Sequence, residues 1–221
     1  MVGPAVSRRR GSVAHGALFG PLLALMIGCG DVGFPERLDE YQQIPDAASL
    51  DLTTVTPGVA ADYWEFRLSF GASPDSVLAA AGPVARSALS ATARATLDTL
   101  GGRSGFGLLC PPGDCSRYLV SVRGDSVRLW TDVAQVRLFL GTITSEVEAI
   151  LLTAAHGYTW TAMKQIGGIR RIANGYELLV RRLVEICDPV QVNRYLVRVA
   201  ADGGLTIEQE EVFEQEFGVC I

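Results

Sequence analysis

The alternation of apolar and polar positions changes period along this chain, and the changes mark its elements. Tyr63-Trp64-Glu65-Phe66-Arg67-Leu68 is aromatic-rich and reads as a first strand. Ser73-Pro74-Asp75 has the form of a helix start, with serine as N-cap and proline at the first helical position. It predicts helix over 74–81 and again over 84–100, broken near Gly82-Pro83 and ended by Gly101-Gly102. Two strands, Tyr118–Arg123 and Ser126–Trp130, flank the hairpin pair Gly124-Asp125, and Gln135–Leu140 reads as a further strand. Ser145-Glu146-Val147-Glu148 is a capping box. It opens a helix whose apolar Val147, Ile150, Leu151 and Ala154 share a face and which Gly157 can end.

After Gly157 the period returns to two. Asn174-Gly175 joins Ile169–Ala173 to Tyr176–Ile186, and Asp202-Gly203-Gly204 joins Gln191–Ala200 to Leu205–Phe213. Tyr176, Leu178, Val180, Val184 and Ile186 fall on one face of their strand, as Tyr195, Val197 and Val199 do on the next. These four segments predict an antiparallel meander with one buried face. The stretch 207–217 is compatible with either strand or helix. The fold class expected is α+β: an antiparallel sheet, ending in the C-terminal meander, with two or three helices packed on one face.

The first thirty residues follow a different logic. Arg8, Arg9 and Arg10 precede an uncharged apolar run from Ala17 to Gly28, shorter than the about 20 residues a spanning helix needs. The run closes on Met26-Ile27-Gly28-Cys29, which resembles the lipobox of bacterial lipoproteins, with Met26 in place of the commoner leucine. The resemblance covers residues 1–29 alone. It implies cleavage before Cys29, a diacylglyceryl group on that cysteine with a further acyl chain on its new amino group, and residence in the cell envelope. Gly30 lacks the acidic side chain that retains many such proteins at the inner membrane, so the outer membrane is favoured. The organisation expected is a signal peptide over 1–28, a flexible tether over 29–60 interrupted by Pro35, Pro45, Pro57 and Gly58, and a single α+β domain over 61–221.

Composition narrows the partners. The full chain carries a formal charge of −5, and the leader removes three arginines and no acid, so the remainder is more acidic still. That balance disfavours nucleic acid and electrostatic docking on anionic lipid. Cys110, Cys115, Cys187 and Cys220 remain after Cys29, an even number in an oxidising compartment that allows three pairings. Cys110–Cys115 and Cys187–Cys220 are preferred. The first closes the turn-rich CPPGDC, and the second joins the ends of two meander strands that run the same way.

Chemistry is sparse. His156 is the sole histidine beyond the leader and is placed at a helix C-terminus, where it can meet terminal carbonyls. Lys164 is the sole lysine and has no serine three residues before it. No nucleophile elbow, P-loop, dinucleotide fingerprint or zinc-knuckle pair occurs, so no cofactor and no metal is expected. Five glutamates between Glu208 and Glu216 lack the spacing of a calcium loop; Glu208 and Glu210 are expected to face Arg194 and Arg198 across the hairpin. Two functions follow. The preferred one is a non-enzymatic binding domain held at the membrane by its lipid, with an envelope protein as partner. The alternative is a lipid-anchored hydrolase using carboxylates or His156.

Overall fold

A computed structural model describes residues 34, 37–70, 75–101, 105–110 and 113–221, without the side chains of 108–110 and 113–114. Cys29, the leader and Ser73-Pro74 lie outside these residues. Ten strands and three α-helices are present among them: β1 (Gln42–Gln43), β2 (Tyr63–Ser69), β3 (Ser76–Ala81), α1 (Ala91–Asp98), β4 (Phe106–Cys110), β5 (Gly113–Arg123), β6 (Ser126–Trp130), α2 (Val133–Leu140), α3 (Glu146–Ala155), β7 (Gly168–Ile172), β8 (Gly175–Ile186), β9 (Val190–Ala200) and β10 (Leu205–Glu216). The α+β class holds, with all pairing antiparallel and β7–β10 forming the C-terminal meander. The strands divide into two sheets. One has the order β1-β7-β8-β9-β10; the other runs β3-β2-β5-β4, with β6 also paired to β5.

α3 is the hub between them. Every residue from Glu148 to Ala155 is buried, and the helix touches both β5 and β8. A helix apolar on nearly all sides is stable only when covered on all sides. Its capping box forms as the sequence predicts, and Glu148 does more than cap. Its fully buried carboxylate accepts from the backbone N–H groups of Thr144, Ser145 and Thr56, pinning the incoming chain to the helix start.

Three predicted elements differ. Residues 76–81 form the edge strand β3 rather than a helix, because β2 offers its free edge from Trp64 to Leu68 and the paired ladder overrides the local helical propensity of the alanines. Helix is confined to α1, where Ser90 supplies the cap by accepting the Ala93 N–H. Residues 133–140 form α2 rather than a strand. Asp132 accepts the Gln135 N–H, and Val136, Phe139 and Leu140 recur at helical spacing into the core.

The stretch expected as a tether also differs. From residue 37 on it belongs to the fold: Tyr41, Ile44, Leu50, Leu52 and Val55 are buried, and β1 adds to the edge of β7. These apolar residues, spaced among prolines, dock on finished sheets without any periodicity of their own. Gly58 then passes Gly141 so closely that a Cβ on Gly58 would lie 2.8 Å from the Gly141 Cα.

β2 carries an unusual alternation. Trp64 and Phe66 face the main core. On the opposite face Tyr63, Glu65, Arg67 and Ser69 are also buried. The Glu65 carboxylate accepts from Tyr63 Oη (2.8 Å), Arg67 Nε (2.6 Å) and Arg86 Nε (3.1 Å). Arg86 in turn donates to Asp98 at the end of α1. The polar face is thereby closed under the segment 86–98, each charge meeting a partner as burial requires.

Candidate functional site

The outer face of the meander carries a ladder of charges that runs across its strands. Register places Arg170 opposite Glu177 and Glu177 opposite Arg198. Glu177 accepts from Arg170 (2.7 Å), Arg198 (3.0 Å) and Tyr41 Oη (3.2 Å), while Arg170 also pairs with Glu40 and Arg198 with Glu208. Burial pushes the Glu177 carboxyl upward, but the hydrogen bonds from Arg198, Arg170 and Tyr41 outweigh it and hold it below the usual range. Burial, reinforced by the neighbouring Glu177 charge, pushes the Tyr41 hydroxyl up to about 12. At the far end Arg194 pairs with Glu211 and lies over two rings, Phe34 at 4.6 Å and Phe213 at 5.6 Å. Phe34 and the pair Glu40-Tyr41 are therefore all in contact with arginines or glutamates of this face.

The glutamate stretch is strand, part of β10, the edge of its sheet. Glu208 meets Arg198 as expected. Glu210 does not follow it, because a bulge between Ile207 and Gln209 rotates it to the other face, where it accepts from Asn193 and Tyr195 Oη. Those hydrogen bonds from Asn193 and Tyr195 lower its pKa.

Beyond Val180 the meander outruns the core. Tyr176, Leu178 and Val180 are buried, whereas Val184 and Ile186, expected on the same face, are exposed, with a register shift between Leu183 and Glu185. Val212, Phe217 (71 % exposed) and Ile221 extend this apolar fringe. The end is closed by a disulfide between Cys187 and Cys220, whose Cα atoms are 4.2 Å apart, and by the Ile221 N–H donating to the Ile186 carbonyl. Glu185, Glu214 and Glu216 are exposed along the same stretches of chain.

The residues singled out for chemistry do not assemble into a reactive set. His156 ends α3 as its C-cap, its backbone N–H donating to Leu152 and Thr153. Burial lowers its pKa, yet the imidazole has no hydrogen-bonding partner among the described residues. The buried carboxylates of Glu65 and Glu148 are filled by donors. Lys164 opens a single 3-10 turn. Cys115 is disulfide-bonded; the Cys110 side chain lies outside the description. Among the described residues no group of three or more His, Cys, Asp or Glu is placed to hold a metal ion, and no helix is long and apolar enough to cross a membrane. The Arg170–Glu177–Arg198 ladder escaped the sequence pattern because it depends on register between strands, whereas the Cys187–Cys220 staple follows from strand order and was legible. Scanned against protein-family models, curated proteins and solved structures, the chain matches none of them.

Proposed function

We propose that the chain is a lipid-anchored lipoprotein of the cell envelope whose domain binds a protein partner through the stapled end of the meander. The supporting observation is that end itself: Val184, Ile186, Val212, Phe217 and Ile221 stand exposed beside Glu185, Glu214 and Glu216. The partner is one that presents arginine or lysine around an apolar centre, since acidic β10 repels a second copy of itself. The outer membrane is the favoured site.

The test has two parts. The intact mass of protein taken from a membrane fraction should begin at Cys29 and carry two or three acyl chains. Photo-crosslinkers at Val212 and Phe217 should capture one discrete envelope protein. That protein, once purified, should bind with an affinity that falls as salt rises and is lost in Phe217→Asp with the fold intact. An unlipidated chain, or capture only from other faces, overturns the reading. The hydrolase alternative has weaker support, because among the described residues the His156 imidazole has no hydrogen-bonding partner and the carboxylates of Glu65 and Glu148 are occupied by donors that hold the fold together.

A further inference from the structure

We propose that the β5–β6 hairpin holds a binding site for a phosphate-type oxyanion, independent of the stapled meander end. Register pairs Ser121 with Arg128 and Arg123 with Ser126. All four side chains stand on one face, the two arginines on one diagonal and the two serines on the other. Diagonal neighbours of an antiparallel pair lie about 7–8 Å apart, within reach of long side chains converging on one group.

The face is concave. A cavity of about 270 Å³ lies over it, floored by Trp130 and walled by Val59 and Ala60. That wall is fixed, because the Gly58 N–H donates to the Phe139 carbonyl (2.7 Å) and Gly58 packs on Gly141.

The polar side chains lining the cavity are those of Ser121, Arg123, Ser126, Arg128 and Trp130, each of which carries a donor. The Trp130 indole N–H donates to Ser121 Oγ (3.0 Å), which leaves the Ser121 hydroxyl proton free to point into the cavity. Trp130 also carries the Arg128 guanidinium, whose Cζ lies 4.0 Å from its ring centroid. The stacking holds that fork in one plane while its N–H edges stay available. No carboxylate lines the cavity. Asp62, beside the hairpin turn, accepts the Gly124 N–H instead. Among the described residues neither Arg123 nor Arg128 forms an ion pair, whereas the arginines of the meander ladder are paired with glutamates. Two unpaired guanidiniums and two hydroxyls around one cavity, on a chain of net charge −5, make a local positive field whose complement is a compact multivalent oxyanion. Such a group arrives as the free ion or at the head of a lipid; the recognition chemistry is the same.

The experiment titrates the full chain with inorganic phosphate at fixed ionic strength, by calorimetry, with chloride as the control anion. Saturable binding is expected with a dissociation constant on the order of 1 mM, competed by sulfate. Arg123→Gln, which removes no side-chain hydrogen bond or ion pair among the described residues, should weaken binding by about tenfold, and Arg123→Gln with Arg128→Gln should abolish it. Arg94→Gln, at an arginine of α1 without an ion pair among the described residues, should leave it unchanged. A parallel titration with short-chain phosphatidic acid in monomeric form separates the sources. Binding at least about tenfold tighter than inorganic phosphate assigns the site to a lipid head, and equal affinity assigns it to the free ion. Absence of saturable phosphate binding, or binding that survives Arg123→Gln with Arg128→Gln, overturns the proposal.

Discussion

Replacing Glu148 by glutamine tests how the centre of this fold is held. The substitution keeps shape and volume and removes one oxygen acceptor. In the native chain Oε1 accepts the Thr56 N–H at 2.8 Å, while Oε2 accepts the N–H groups of Thr144 (2.7 Å) and Ser145 (3.0 Å) and the Thr144 hydroxyl (3.1 Å). A glutamine amide must present its NH2 to one of these two sets. The less costly orientation turns it toward Thr56, which removes one hydrogen bond to a charged acceptor, about 1.5–3 kcal/mol, and sets two donors against each other. Loss of negative charge at the α3 N-terminus adds about 0.3–1 kcal/mol. The expected cost is about 2–4 kcal/mol in urea denaturation at neutral pH with the disulfides oxidised. Glu146→Gln is the control, since Glu146 shares the first turn of α3 but receives none of these bonds; it should cost under about 1 kcal/mol. If Glu148→Gln cost no more than Glu146→Gln, the carboxylate would not be the clasp that joins Thr56 and Thr144 to the helix.

Glu65→Leu should destabilise by about 3–5 kcal/mol, because Arg67 (3 % exposed side chain) loses its partner while still buried; the double variant with Arg67→Leu should recover much of that loss, and equal losses in single and double variants would refute the pairing argument. Cys187→Ser with Cys220→Ser opens a crosslink across a sequence separation of 33 and should cost roughly 3–4 kcal/mol by chain entropy, with amide exchange rising first around Ile186 and Phe217; uniform loss of protection across α3 would contradict a stapled end set apart from the core. Glu177 has a folded pKa below its ordinary 4.5, so its contribution is complete above that value and is lost as pH falls through the lower, folded pKa. Glu177→Gln should flatten the acid limb of the stability–pH curve there, and superimposable limbs would remove Glu177 as its source.

The sequence by itself determined the elements from Ser145 through the Asp202-Gly203-Gly204 turn. The capping box at Ser145, the turn residues around Asn174-Gly175 and Asp202-Gly203-Gly204, and the period-two apolar runs between them are local signals whose geometry is set within a few residues. Antiparallel order then places Cys187 and Cys220 at the same end. Tertiary structure decided the rest. Residues 76–81 became strand because β2 left an edge to pair, and 133–140 became helix because the Asp132 cap and the Val136, Phe139, Leu140 face fit the core beside Trp130. Residues 37–55 carry no period and became structure only by docking on surfaces built from later chain. The charge ladder and the hairpin cavity belong to this second class. A bulge decides which face Glu210 occupies, and the pairing of Arg123 with Ser126 and Ser121 with Arg128 decides that two arginines share one cavity. Side-chain facing in a sheet depends on register between distant segments, and register is a property of the assembled sheet rather than of either strand.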